Sequence, residues 1–429
     1  MNRVWPKRIA VVLPRYGESL GGGAETLTKA VLERMVEDAA GEIERAEVWT
    51  TCAIDHRTWE NELPAGSCEI GGIRVKRFPV DKRNLEIFIR AEHSMRDGMP
   101  LTIDQQLDWL ANSVNSNLLY EHIAEHGKEF DLILFAPYLF ATSFWGALIH
   151  PDRSVIIPCL HNEHYAFQEV FAFLFSQVRG LLFNAEPEKE LAEQLYGRAV
   201  ISDKATVVGM GFDRPGDSQG QLPDELRGKR FILYSGRKET GKNLDLLIDG
   251  FEGFSQREES EGVYLAIIGS GSIDFRPELP PRVLDLGFVS EETKEALMRE
   301  AMFLCQPSVN ESFSIVMMEA WLRGTACVVH ADCAVTRDHV VRSGGGLFFA
   351  GREEFETVLS ELVANPELCN TLGDAGRRYV ERQYSWDAVL SRLSSAFDVC
   401  GLLPADSDAG DDQAKQESQT DFDAARGAL

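Results

Sequence analysis

Short apolar runs alternate with amphipathic helical patterns along almost the whole chain, and this alternation limits the possible folds more than any other feature. Strand–helix alternation of this kind predicts parallel β-sheets whose two faces are covered by helices. The predicted strands are residues 9–13, 47–51, 73–80, 132–136, 155–160, 180–183, 205–208, 231–235, 264–268, 283–286, 303–306, 326–329 and 346–349. The fold class is therefore α/β, with doubly wound sheets.

The chain has 429 residues, which is enough for two such domains of about 200 residues each. The segment 209–228 interrupts the alternation, because it is rich in glycine and proline and poor in apolar residues. We therefore predict a first domain over 1–208, a linker over 209–228 and a second domain over 229–383. An amphipathic helix is predicted over 384–402, and the polar, acidic segment 403–429 is predicted to be a disordered tail.

The composition limits the classes of partner and the cellular compartment that we expect for this chain. The net charge is −25, from 43 basic and 68 acidic residues, so a nucleic-acid partner is not expected. Eight scattered cysteines without a CxxC pair fit a reducing cytoplasm, and the first apolar run is too short for a signal peptide. The uncharged stretch 132–149 approaches the length of a membrane span, but it contains Pro137 and Gly146. We interpret it as a strand, a loop and a buried helix.

Glycine-containing loops follow two of the predicted strands. Gly21, Gly22 and Gly23 precede a predicted helix, and Gly269 and Gly271 follow the strand at 264–268. Glycines at the start of a helix let a ligand approach the backbone, where exposed N–H groups favour an anion. Each loop taken alone also fits an ordinary flexible turn.

A basic loop follows the predicted strand at 231–235. It begins with Ser235, Gly236 and Arg237 and continues to Lys242. Its glycine spacing differs from that of a Walker loop, but its two cations suit a pyrophosphate leaving group whose negative charge grows during reaction. The alternative interpretation is a solvated basic loop, the more common environment of arginine and lysine.

Two glutamates provide the most specific pattern. Glu311 and Glu319 stand eight positions apart, and we expect Glu311 at the start of a helix and Glu319 two turns into it. On such a helix the separation corresponds to roughly 12 Å of rise, about the distance from a hexose to a ribose across a pyrophosphate. Carboxylates suit vicinal sugar hydroxyls, and the backbone N–H groups of 312–315 are expected to face the phosphates. The alternative is that Glu319 belongs to an ordinary surface helix.

The run 307–320 resembles the Glu-seven-residues-Glu signature of the family 4 retaining glycosyltransferases. Further similarities are Ala24-Glu25 after the glycines, Ser-Gly-Arg followed by Gly-Lys-Asn in 235–243, and the segment 286–290. His161 falls where that family places a histidine. Two positions depart from the pattern, since Ser314 stands where glycine is usual and Asn162 where aspartate is common.

The resemblance reaches to about Phe397 and implies a GT-B fold, in which two Rossmann-like domains face each other across a cleft. The first domain would bind the acceptor, the second the nucleotide-sugar donor, and the C-terminal helix would cross back to the first domain. The implied catalytic residues are Glu311, Arg237, Lys242 and His161. The implied donor-binding residues are Gly22, Gly23, Gly236, Gly269, Phe288, Ser312, Phe313, Ser314, Ile315 and Glu319.

The implied reaction is transfer of a sugar from a nucleotide diphosphate to a glycan or lipid-linked glycan, with retention of anomeric configuration. Neither a cofactor nor a metal is expected, and the leaving phosphate takes the acceptor's proton. Other enzymes of the same fold, such as a sugar-nucleotide epimerase or a phosphorylase, and an inactive scaffold are the alternatives. The presence of Glu311, Glu319, Arg237 and Lys242 favours the transferase.

A helix over 82–96 mixes basic and apolar residues, among them Arg90, Arg96, Leu85 and Ile87. This mixture is typical of a helix at a membrane surface, and it predicts a weak, reversible contact between a cytoplasmic protein and the inner face of a membrane. The alternative is that the apolar residues pack on the first sheet.

Overall fold

The computed structural model describes residues 3–17, 22–216, 220–276 and 278–403. The strands are β1 (Arg8–Val12), β2 (Arg45–Thr51), β3 (Gly66–Ile70), β4 (Ile73–Phe78), β5 (Leu132–Phe135), β6 (Ser154–Ile156), β7 (Gly180–Phe183), β8 (Ala205–Val207), β9 (Arg230–Ser235), β10 (Val263–Ile268), β11 (Val283–Gly287), β12 (Phe303–Gln306), β13 (Ala326–His330) and β14 (Gly346–Phe349). The α-helices are α1 (Gly23–Asp38), α2 (Leu85–Arg96), α3 (Ile103–Ala111), α4 (Asn117–His126), α5 (Ala141–Ile149), α6 (Glu169–Gln177), α7 (Glu186–Tyr196), α8 (Arg198–Ile201), α9 (Leu244–Phe254), α10 (Glu291–Glu300), α11 (Ile315–Leu322), α12 (Ala334–Ser343), α13 (Arg352–Ala364), α14 (Pro366–Gln383) and α15 (Trp386–Val399).

These elements form two sheets with helices on both faces, which confirms the predicted fold class. The first sheet has the strand order β3-β4-β2-β1-β5-β6-β7-β8, and the second has the order β11-β10-β9-β12-β13-β14. Neighbouring strands are parallel throughout except for β3 and β4, which are antiparallel. The sequence analysis missed β3, because its pairing depends on a turn at Gly71 and Gly72 and only two of its five residues, Cys68 and Ile70, are apolar.

Each sheet has a point at which its strand order reverses. In the first sheet the chain moves outward from β1 in one direction and from β5 in the other. In the second sheet the same reversal lies between β9 and β12. Loops diverge at such a point and leave a crevice at the carboxyl ends of the strands, where open α/β sheets bind ligands.

The uncharged stretch 132–149 forms strand β5, a short loop and helix α5, as interpreted from the sequence. Within the described ranges, no helix combines the length and the apolar character needed to cross a bilayer.

Helix α15 packs against β8 and α1 of the first domain, so the chain crosses back as predicted. Arg392 donates hydrogen bonds to the Val208 carbonyl at 2.9 and 2.8 Å, and Trp5 contacts Phe397 edge-on with ring centroids 6.3 Å apart. The apolar cluster around these residues includes side chains from both sheets. The exact domain limits remain predictions, and the acidic tail predicted from 403 lies outside the described residues except for Leu403.

Candidate active site

A carboxylate and an ammonium meet at the reversal point of the second sheet. Lys242 comes from the loop after β9 and Glu311 from the loop after β12, and these strands are neighbours. Lys242 Nζ lies 2.6 Å from Glu311 Oε1, and Gln306 Nε2 donates to the same oxygen at 3.2 Å. Both charged side chains keep some contact with solvent, with 20% and 12% of their surface exposed. The two predicted motifs therefore meet at one place in the fold.

The expected helix starts need correction. Helix α11 begins at Ile315, so Glu311 lies in the preceding loop and not at the start of the helix. Helix α9 begins at Leu244, well after Arg237. The distance between Glu311 and Glu319 that was estimated from the rise of a helix therefore does not apply, because residues 311–314 are not helical.

Ser314 explains why the helix begins late. Its backbone lies in the left-handed region, with φ of 68°, immediately before α11. Glycine adopts this conformation without strain, and this is the position where the related motif usually has glycine. The Ser314 hydroxyl is buried, and no hydrogen-bond partner for it occurs among the described residues. Serine at this position therefore lowers the stability of the fold in two ways. Its Cβ strains the left-handed backbone, and its buried hydroxyl makes no hydrogen bond to the described residues.

Replacing Ser314 with glycine should raise the free energy of unfolding by about 1 kcal/mol, because the substitution removes both left-handed strain and an unsatisfied hydroxyl. Equilibrium denaturation in urea measures this change. Ser314→Ala is the matched control, since alanine removes the hydroxyl but keeps the Cβ, and its gain should be smaller. A loss of stability in Ser314→Gly would contradict this interpretation of the turn.

Arg237 is nearly half exposed and lies next to the first domain. Its Nη1 is 3.3 Å from Glu239 Oε1, and the same oxygen is 3.8 Å from His56 Nε2 of the first domain. Burial, Arg15 and Arg237 lower the pKa of His56, which favours its neutral form. The loop after β9 thus faces the loop after β2, a contact that no sequence pattern indicated.

The predicted glycine loops of the second domain contact each other. A Cβ on Gly269, whose φ is 130°, would lie 2.0 Å from the Gly236 carbonyl oxygen, so only glycine fits there. Lys238, which the sequence analysis did not single out, lies buried behind them and places its Nζ 2.5 Å from Asp285 Oδ1. This ion pair connects the basic loop to the end of β11.

Glu319 projects from α11 and pairs with a lysine of α10. Lys294 Nζ lies 3.0 Å from Glu319 Oε1 and 2.6 Å from Glu291 Oε2. Burial raises the pKa of Glu319, against the opposing effect of Lys294. Burial lowers the pKa of Lys294, but the two carboxylates outweigh it and the pKa is raised overall. Glu319 is therefore not an ordinary exposed helix residue.

The aromatic candidates have different environments. Phe288 is 82% exposed beyond the end of β11, so its side chain is available to a ligand. Phe313 is buried against Phe212, Tyr384 and His339, so its side chain supports the interior, and only its backbone can meet a donor. Ile315, at the start of α11, is partly buried against the core.

The opposite wall of the cleft comes from the first domain. Gly22 precedes α1, and a Cβ at this glycine would lie 2.1 Å from Glu25 Oε2. Glu25 in turn pairs with the buried Arg15 at 2.6 Å, which holds the carboxylate against the loop. Gly23 starts the helix with no atom close to a Cβ position, and Gly21 lies outside the described residues.

His161 follows β6, with its Nδ1 3.4 Å from Glu163 Oε1. Two residues earlier, burial raises the pKa of the Cys159 thiol, and the nearby side chain of Ser312 in the second domain opposes this rise. The segment that carries His161 therefore lies against the loop that carries Glu311, across the cleft.

Glu188 fixes the backbone next to the segment that carries His161. The sequence analysis did not predict a role for this residue. Its carboxylate accepts hydrogen bonds from the backbone N–H groups of Leu160 and Asn184, both at 2.6 Å. Complete burial raises the pKa of Glu188 to about 7. The sequence offers no pattern that distinguishes Glu188 from the other acidic residues of α7.

Among the described residues, no group of three or more histidine, cysteine, aspartate or glutamate side chains is arranged so that it could hold a metal ion. All eight cysteines are free thiols.

Residues 223–379 match the model of the family described as "Glycosyl transferases group 1". The chain is 28% identical over 246 residues to the D-inositol 3-phosphate glycosyltransferase of Jonesia denitrificans, covering 52% of this chain and 57% of the relative. It is also 28% identical over 237 residues to the phosphatidyl-myo-inositol mannosyltransferase of Mycobacterium tuberculosis, covering 49% of this chain and 61% of the relative. The chain thus spans less than two thirds of the length of these relatives.

Two solved structures share the fold. The sucrose-phosphate synthase of Thermosynechococcus elongatus superposes with a TM-score of 0.67 at 16% identity, covering 91% of this chain and 98% of that one. The Anabaena protein HepE, in complex with UDP and glucose, gives a TM-score of 0.64 at 17% identity, with coverages of 91% and 99%. The two facing sheets and the crossing helix define a GT-B protein. The predicted resemblance to this family of glycosyltransferases is confirmed by the match over 223–379 and by both relatives.

Proposed function

We propose that the chain is a glycosyltransferase that moves a sugar from a nucleotide-diphosphate donor to a glycan or lipid-linked glycan, with retention of anomeric configuration. The observation that carries this proposal is the Lys242–Glu311 pair at 2.6 Å, at the reversal point of the family-matched sheet. His161 and the loop of Gly22 and Gly23 form the opposite wall. The names of the two relatives, a glycosyltransferase and a mannosyltransferase, and the UDP and glucose bound by HepE support the same activity.

In the proposed reaction, the bond between the anomeric carbon and the diphosphate breaks as a bond to the acceptor oxygen forms on the same face. The proton of the acceptor hydroxyl passes to the departing phosphate oxygen. Arg237 and Lys242 stabilise the charge that grows on the diphosphate, because fixed cations bind a developing anion better than water does. Glu311 binds hydroxyls of the transferred sugar, Glu319 binds the ribose, and His161 contacts the sugar.

A panel of nucleotide sugars tests this proposal. One donor should raise the melting temperature and be hydrolysed slowly without an acceptor, releasing nucleoside diphosphate. An inactive scaffold would bind without turnover, and an epimerase would release an altered sugar without needing an acceptor. If no nucleotide sugar binds or reacts, the proposal is wrong.

We predict that transfer needs no metal. Arg237 and Lys242 supply the positive charge that a divalent cation would otherwise provide to the diphosphate. Turnover should therefore be unchanged after treatment with a chelator and dialysis. Activity that disappears with the chelator and returns with manganese or magnesium would contradict this prediction.

We further propose a cytoplasmic protein with weak peripheral contact to anionic membranes through α2. The alternative was that the apolar residues of α2 pack on the first sheet. It does not fit this helix, because Leu85, Ile87 and Ile89 are all exposed. Its basic face is smaller than expected, since Arg90 pairs with Glu86. The free thiols fit a reducing compartment.

Co-sedimentation with anionic vesicles measures this contact. Binding should be detectable at low salt and weaken at physiological salt. The variant Ile87→Ser with Ile89→Ser should lose it, whereas Val341→Ser, which changes a more exposed apolar residue on α12, should not. Binding that survives the double substitution would exclude α2 as the contact.

A further inference from the structure

A cavity of about 480 Å³ lies in the first domain beside the segment that carries His161. Its walls come from the end of α2, the loop that leads to α3, and the segment that leads to α6. The lining residues used below are Met95, Met99, Leu101, Glu163, Phe167 and Glu169. Its volume falls in the range of about 300–1,000 Å³ that is usual for small-molecule sites.

The cavity wall is fixed by hydrogen bonds even though residues 161–168 form no helix or strand. Tyr165 donates its hydroxyl to Glu92 Oε2 at 2.5 Å, and Trp109 donates to Glu92 Oε1 at 2.8 Å. Tyr196 donates to the Ala166 carbonyl at 2.7 Å. Tyr165 also stacks on Trp109 at 5.6 Å. Because these contacts already order the wall, ligand binding there avoids the loss of conformational entropy that ordering a flexible segment would require.

The cavity connects to the proposed transfer site through Glu163. This residue lines the cavity, and its Oε1 lies 3.4 Å from His161 Nδ1. The same segment lies near the donor-side loop at Cys159 and Ser312. A molecule in the cavity can therefore place one group next to His161, close to the transferred sugar.

The lining combines exposed apolar side chains with negative charge. Met99 is 55% exposed and Phe167 is 60% exposed, which leaves their surfaces available for contact. Glu163 and Glu169 carry negative charge, and the described residues that line the cavity include one histidine, His164, but no lysine or arginine. Like charges repel strongly at short range, so the lining disfavours a phosphate or carboxylate.

We propose that this cavity binds an uncharged acceptor, in which an apolar group is attached to the accepting sugar. The apolar group contacts Met99 and Phe167, and an accepting hydroxyl lies next to His161. This inference rests on the proposed function and narrows the acceptor class: an acceptor with a phosphate next to the accepting sugar does not fit the lining.

The test uses three probe acceptors: octyl glycosides of neutral hexoses, the free hexoses and hexose 6-phosphates. Release of nucleoside diphosphate from the donor is measured with each probe and without any acceptor. Octyl glycosides should raise the rate above acceptor-free hydrolysis, with a KM about 10-fold or more below that of the free hexose, because the octyl chain buries apolar surface. Hexose 6-phosphates should not raise it.

Two variants locate the effect. Phe167→Ala should raise the KM for the octyl glycoside by about 10-fold while leaving acceptor-free hydrolysis unchanged. Phe173→Ala is the matched control, because Phe173 is equally exposed at 55% but does not line the cavity. Glu169→Lys should allow hexose 6-phosphates to raise the rate above acceptor-free hydrolysis, because the substitution reverses one lining charge.

Failure of the inference is distinguishable from failure of the proposed function. If octyl glycosides give no stimulation, if hexose 6-phosphates are the better acceptors, or if Phe167→Ala leaves KM unchanged, the acceptor class is wrong. Acceptor-free hydrolysis of a nucleotide sugar would survive all three results. Its absence in the unmodified protein would overturn the proposed function itself.

Discussion

Glu311→Gln is expected to lower the kcat of sugar transfer by about 10²-fold or more, on the order of 3 kcal/mol, while leaving the protein folded. Glutamine keeps the shape of the side chain but removes the negative charge that pairs with Lys242 at 2.6 Å. The amide would leave the Lys242 ammonium without its counter-charge and change the hydrogen bonds offered to sugar hydroxyls. Initial rates at saturating donor and acceptor measure the loss.

Glu353→Gln is the matched control, because Glu353 is an exposed carboxylate in the first turn of α13, outside the loops after β9 and β12 that carry Lys242 and Glu311. It should retain full activity. Thermal melts of both variants check that the fold persists. Near-normal kcat in Glu311→Gln would remove Glu311 from the active site.

Arg237→Ala should reduce kcat/KM for the donor by a comparable factor, because a fixed cation next to the departing diphosphate stabilises charge that grows in the transition state. Arg237 is 45% exposed on its side chain, and its partner Glu239 lies on the same loop. Its removal should therefore cost little stability. Steady-state kinetics at varied donor concentration separate the effect on KM from that on kcat.

Arg227→Ala is the control for Arg237→Ala. Arg227 is also largely exposed and pairs with a nearby carboxylate, Asp224, but it lies in the predicted linker. Its kinetic constants should not change. If both arginine variants behave alike, the effect of Arg237 is not specific to the diphosphate.

Most of the fold could be predicted from the sequence because buried parallel strands leave a local signal. The predictions at 303–306 and 346–349 coincide with β12 and β14, which consist of short apolar or small-residue runs between helices, apart from Gln306 at the end of β12. The predicted strand at 155–160 was too long, since β6 ends at Ile156 and the chain turns through Pro158 toward Cys159, whose φ is positive. β3 left too weak a local signal because its pairing comes from the hairpin.

The site was less predictable because its geometry depends on turns and on contacts between domains. Glu311 and Lys242 were singled out from their motifs, but their ion pair follows from the adjacency of β9 and β12. The late start of α11 depends on the left-handed Ser314, which no helical pattern indicates. The contact between His56 and Glu239 joins the two domains across the cleft, and no sequence pattern predicts it.

The most direct test of the account follows the anomeric configuration of the released sugar by proton NMR during hydrolysis of the donor identified in the panel. The unmodified protein, treated with a chelator, should release the α-anomer first from an α-linked donor, and Glu311→Gln should release almost none. Initial release of the β-anomer, or equal rates in the unmodified protein and Glu311→Gln, would contradict a retaining transfer at the Lys242–Glu311 site.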